Sequence, residues 1–69
     1  MNNQAEYAKD QDDLAEAVWT LALLKDTHAL MWWSQIDTAR LSRHGYVAYA
    51  YAAHKLGKYT PEIEKKMLS

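Results

Sequence analysis

Between Leu14 and Ile36 apolar residues recur at three- and four-residue steps, but along two sides of a helix rather than one. One stripe runs Tyr7, Leu14, Ala17, Val18, Leu21, Leu24, His28, Met31 and Trp32, and a second runs Trp19, Ala22, Leu23, Leu30, Trp33 and Ile36. Neighbouring helical residues stand about 100° apart, so Trp32 and Trp33 cannot share one narrow contact. A helix apolar on two sides needs cover on both.

The helix has two competing starts. Asn3 with Glu6 three residues on has the form of a capping box, and Asp10 with Asp13 offers a second N-cap. Either places acids where the helix dipole favours them. Lys25-Asp26-Thr27-His28 is the weak point, since Asp26 or Thr27 could cap a second helix and turn the chain into an αα-hairpin. The four residues contain neither Gly nor Pro, however, and Asp or Thr inside a helix costs only about 0.6 kcal/mol relative to Ala. That balance favours one unbroken helix over residues 4–42, roughly 58 Å long at 1.5 Å per residue. A monomer of 69 residues cannot cover such a helix, so continuity predicts a homodimer.

Stronger punctuation comes later. His44-Gly45 reads as a helix end with the glycine left-handed and Arg40, Arg43 and His44 in the last turn, complementing the dipole. Tyr46–Leu56 alternates tyrosine and alanine, but alanines at 48, 50, 52 and 53 favour helix over strand. Its face of Tyr46, Tyr49, Ala50, Ala53 and Leu56 mixes small and large residues and suits close helix packing. Gly57 is expected to close this helix. Thr60-Pro61-Glu62 then opens another, with threonine as N-cap and proline at the first helical position, presenting Ile63, Met67 and Tyr59 to the core. The expected fold is one all-α domain over residues 1–69: a long N-terminal helix, or a hairpin broken near 25–28, with two shorter C-terminal helices folded back on it.

Composition narrows the chemistry. The chain has no cysteine, which excludes disulfides, thiolate metal sites and thiol nucleophiles, and leaves oligomerisation as the usual brace for so small a core. Its polar, acidic first residues differ from a secretory signal, so a cytoplasmic location is expected. Glu16, Lys25, Asp26 and His28 interrupt the apolar segment, which rules against a membrane span. Residues 1–41 are net acidic and residues 42–69 net basic, a split that can attract within one subunit or between two.

No motif for catalysis, phosphate binding or metal ligation is present. His28, His44 and His54 lack helical ligand spacing, and Ser34 and Ser42 lack an evident base. His28, on an apolar stripe, reads as a hydrogen-bonded core or interface side chain. The expectation is a non-enzyme without cofactor or metal. Three tryptophans and five tyrosines exceed what one small core easily hides, and such residues are enriched at interfaces. Trp19, Leu23, Leu30, Trp32, Trp33 and Ile36 are the candidate protein-interface residues, with the Trp33 and Ile36 side the more patch-like. They point to a small regulator, adaptor or inhibitor that covers a partner protein's surface. The alternative is a helical DNA-binding regulator contacting nucleic acid through Arg40, Arg43, Lys55, Lys58, Lys65 and Lys66, with tyrosines for stacking. A sequence pI near 6.2 and the acidic N-terminal half count against it.

Overall fold

The computed structural model describes residues 10–68, and among these every regular element is helical. The elements are α1 (Gln11–Leu23), α2 (Ala29–Ser34), a 3-10 turn (Thr38–Arg40), α3 (Arg43–Leu56) and α4 (Pro61–Leu68). Asn3, Glu6 and Tyr7 lie outside the described residues. Asp10 is the N-cap of α1, its carboxylate accepting from the Asp13 N–H at 2.8 Å. Asp12 and Asp13 follow in the first turn, where the dipole favours them.

The unbroken helix over 4–42 is not formed. α1 stops at Leu23, and Lys25 takes a left-handed conformation at φ 57°. The Lys25 N–H bonds Ala22 O at 3.1 Å and the Asp26 N–H bonds Leu21 O at 3.0 Å, which together make a Schellman termination. Asp26 then accepts from the His28 N–H at 2.7 Å and holds the turn from outside the next helix. The residue before α2 is His28, which makes no side-chain capping bond, so neither Asp26 nor Thr27 is its N-cap. The physical reason for the break is tertiary. Stopping after residue 23 lets α2 fold back on α1, which continuing in line would prevent.

The end expected at His44-Gly45 is a helix start instead. Ser42 caps α3, its hydroxyl accepting from the Gly45 N–H at 3.3 Å, and Gly45 is a buried helical residue. Arg43 and His44 therefore sit in the first turn rather than the last. Gly45 is required by proximity: a Cβ there would run into Asp12 Oδ1, with Asp12 Cγ at 2.7 Å and its Cα at 3.1 Å. Gly57 closes α3 in the left-handed conformation at φ 71°, and Thr60 caps α4 by accepting from the Ile63 N–H at 3.3 Å.

Asp12 meets Ser42 and Gly45, Glu16 meets His44, and Trp19 meets Tyr51, so α1 and α3 run parallel. α2 and the 3-10 turn carry the chain back between them. The N-terminus of α1 holds this return in place: Gln11 Oε1 accepts from the Asp37 N–H at 2.7 Å and Asp12 Oδ1 from the Ser42 N–H at 2.9 Å. Small residues on both helices, including Ala15, Ala22, Ala48 and Ala52, are almost fully buried and allow the close approach. Val18, with no exposed surface, is the largest fully buried side chain described.

A second cluster joins Ala50 and Ala53 of α3 to Ile63 of α4, with Tyr46, Tyr49, Tyr59 and Met67 around them, as the alanine-tyrosine face implies. Leu56 packs with the first cluster instead. Trp33 touches both clusters. Its ring stacks on Tyr49 at 4.9 Å and 12°, and its indole N–H donates to Tyr49 O at 3.2 Å.

Candidate functional site

The two-stripe pattern on residues 14–36 is resolved unevenly. Leu14, Ala17, Val18, Leu21, Ala22 and Ile36 are buried, whereas Leu24 keeps 73% of its surface exposed and Met31 46%. His28 is also exposed, paired with Asp26 at 3.1 Å, and is no core histidine. The reversal at Lys25 rotates these positions out of the line that a continuous helix would have kept.

The six candidate interface residues separate into four environments. Ile36 is buried, and Trp33 is half-buried at the junction of α2, α3 and α4. Trp32 is half-buried against the main core, and among the described residues its indole Nε1 is a buried atom with no hydrogen-bond partner. Leu30 is exposed on α2. Trp19 and Leu23 come together with Tyr51, His54 and Lys55 around an open groove of about 480 Å³ between the C-terminal halves of α1 and α3.

This groove is built by helix register. The solvent side of α1 is the series Asp13, Glu16, Thr20 and Leu23, at helical spacing, with Trp19 half-buried beside it. On α3, the alanines that face α1 and α4 leave Tyr51 and His54 on the outer side. Trp19 and Tyr51 meet with ring centroids 5.2 Å apart and planes tilted by 36°, forming the groove floor. Tyr51 keeps 47% of its surface exposed and Leu23 50%. His54 is held at one margin by its ring contact with Tyr59 at 4.5 Å.

Asp13 lies in the first turn of α1 and His54 and Lys55 in the last turn of α3, each sign suited to the local dipole, while Arg43 and His44 place basic groups at the start of α3. Bonds from the Ser42 side chain and backbone hold the Asp12 carboxyl below the usual carboxylate range. Glu16 Oε1 approaches His44 Nε2 at 3.3 Å, with both side chains mostly exposed.

The six basic residues are spread over the 3-10 turn, α3, the segment after it and α4. Arg43 and Lys66 line a separate cleft of about 260 Å³ with Tyr46, Ser42 and Thr38, while Lys55 borders the apolar groove. Arg40 ends the 3-10 turn, Lys58 follows α3, and Lys65 is exposed on α4. The Lys66 ammonium lies 5.6 Å from the Tyr46 ring centroid, and burial pushes the Tyr46 phenol up from its ordinary pKa. Burial likewise raises the Tyr49 phenol. The α3 N-terminus beside this cleft already has a carboxylate against it, that of Asp12.

Tyr51, His54 and Lys55 complete the groove, and sequence reasoning did not join them to Trp19 and Leu23. A signal existed: Tyr51 lies about 160° around the helix from Tyr49, so the small-residue face that buries Tyr49 turns Tyr51 outward. Among the described residues no group of His, Asp and Glu side chains is arranged to hold a metal ion, and no helix is long and apolar enough to cross a membrane. No family model, curated protein or solved structure matches the chain.

Proposed function

We propose that this chain is a small protein-binding module, a regulator, adaptor or inhibitor in type, that covers part of a partner protein with the groove between α1 and α3. One observation carries the reading: Trp19, Leu23 and Tyr51 form a contiguous apolar floor that the described helices leave open. Aromatic and leucine side chains gathered in a concavity and rimmed by charge have the composition of an interface centre, where a few buried anchors supply most of the binding energy. Trp19 and Tyr51 are already in ring contact, so little side-chain freedom is lost when a partner settles on them.

The test is recovery of bound protein from a cell extract at two salt concentrations, with and without nuclease, by wild type and by Leu23→Asp, Tyr51→Asp and Leu30→Asp. The expected result is a nuclease-insensitive, salt-tolerant partner lost with Leu23→Asp and Tyr51→Asp and kept with Leu30→Asp. Circular dichroism verifies that the exposed substitutions leave the helices intact. Recovery of nucleic acid with steep salt dependence, abolished by Lys66→Ala and untouched by Tyr51→Asp, overturns the reading in favour of phosphate contact.

A further inference from the structure

The lining of the groove between α1 and α3 carries charge of one sign. Trp19, Leu23 and Tyr51 are joined there by His54 and Lys55, and no acid is among them. The acids nearest along the chain, Glu16 before Trp19 and Asp26 after Leu23, are engaged elsewhere: Glu16 lies against His44 at 3.3 Å, and Asp26 accepts from the His28 N–H at 2.7 Å and pairs with its ring. Glu62 and Glu64 belong to α4, which packs through Ile63 on Ala50 and Ala53 and lends nothing to the lining. The Lys55 ammonium, by contrast, has no ion-pair partner among the described residues. Two of the carbonyls that end α3 are bonded by the turn after it, Ala53 O by the Lys58 N–H at 2.8 Å and His54 O by the Gly57 N–H at 3.4 Å, which blunts the negative end of the helix beside that ammonium.

Spacing turns this charge into a requirement on the occupant. Tyr51 and Lys55 are four residues apart on α3, about 6 Å along the axis and on one face. Trp19 and Leu23 stand at the same interval on α1, so the groove is about one helical turn long. A short segment fills it, with one bulky apolar side chain over Trp19 and Tyr51 and one further group about 6 Å on, beside Lys55. An apolar group at that second position would cover the ammonium without compensation, and a cation would meet like charge. We infer that the groove selects a segment of a partner protein in which a carboxylate accompanies the apolar anchor at that distance, Lys55 receiving the carboxylate while Trp19, Leu23 and Tyr51 hold the anchor. In an extended segment the two side chains are two positions apart, and in a helical one three or four.

This inference rests on the proposed role of the groove as a protein-binding surface and states the chemistry of its occupant.

Selection from a random dodecapeptide library displayed on phage, with the full chain immobilised at low salt, tests it. Wild type should enrich peptides that pair an aromatic residue or leucine with Asp or Glu at one of those spacings, and Tyr51→Asp should not retain them. Lys55→Glu should enrich the same anchors with Lys or Arg in place of the acid. A synthetic peptide chosen on wild type should bind Lys55→Glu at least about threefold more weakly, a difference that shrinks as salt is raised. Lys55→Gln, which removes the charge without reversing it, should lose the acidic preference and gain no basic one, and it carries the test if circular dichroism shows that Lys55→Glu perturbs the helices. Tyr51-dependent peptides with no acidic bias, or with a bias that neither Lys55 variant changes, overturn the inference and leave the protein-binding reading standing. Enrichment of no Tyr51-dependent peptide at all removes both.

Discussion

Gly45→Ala places two large effects of opposite sign at one residue. By local propensity the change is favourable, since alanine in a helix interior is preferred to glycine by about 1 kcal/mol. The tertiary structure opposes it. The new methyl would meet the Asp12 carboxylate, whose Cγ lies 2.7 Å from the Cβ position, and Asp12 Cα lies at 3.1 Å. A carboxylate tip normally swings aside at small cost, but this one accepts the Ser42 N–H at 2.9 Å and so secures the start of α3. Displacing it gives up that bond, and forcing α1 away from α3 carries an overpacking cost of about 1–3 kcal/mol. Set against the propensity gain, the expected net is a loss of about 1 kcal/mol. For a domain of this size that lowers the melting temperature by about 4–8 °C. Urea and thermal unfolding at fixed protein concentration provide the assay. The cause is checked in an Asp12→Ala background, where Gly45→Ala should cost at least about 0.5 kcal/mol less than in wild type. A Gly45→Ala protein as stable as wild type or more so would refute the reasoning, because propensity alone would then govern the site.

Four further outcomes follow from the same geometry. Lys25→Gly should stabilise the chain by about 1 kcal/mol in urea unfolding, because the residue after α1 is left-handed at φ 57° and glycine adopts that conformation without a Cβ penalty; a loss of stability would count against the Schellman turn. Thr60→Ala should cost about 0.5–2 kcal/mol and speed amide exchange at Ile63, with Thr60→Asp close to wild type. Trp33→Phe should lower the melting temperature more than Trp32→Phe, since the first deletes a hydrogen bond to Tyr49 O and the second removes a buried donor that has no partner; the reverse order would show that Trp32 Nε1 is satisfied in solution. Asp12 titrates below the usual carboxylate range when folded, so its contribution is fully present above that range and is lost as pH falls through the folded value. Acid unfolding of Asp12→Ala should accordingly show a shallower pH dependence than wild type.

Much of the local structure follows from short-range chemistry and can be read without a fold. Asp10, Gly57 and the Thr60-Pro61 pair act as caps because their conformational preferences are intrinsic to the residues. The alanine-rich helix over 46–56 and its packing on Ile63 come from composition and spacing, which also identified Trp19 and Leu23 as interface candidates. The break at Lys25 and the role of Gly45 depend on contacts between residues far apart in sequence. Lysine carries no preference for a left-handed turn, and its position there is set by α2 folding back on α1. Gly45 resembled a terminator because a lone glycine after a basic run usually is one. Its actual reason lies in Asp12, brought against it only when α1 and α3 pack in parallel. The groove is a property of that packing too, because Tyr51 and Lys55 stand beside Trp19 and Leu23 through the relative register of two helices. Local preference fixes where helices can begin and end, but register is decided by which small residues let two backbones approach.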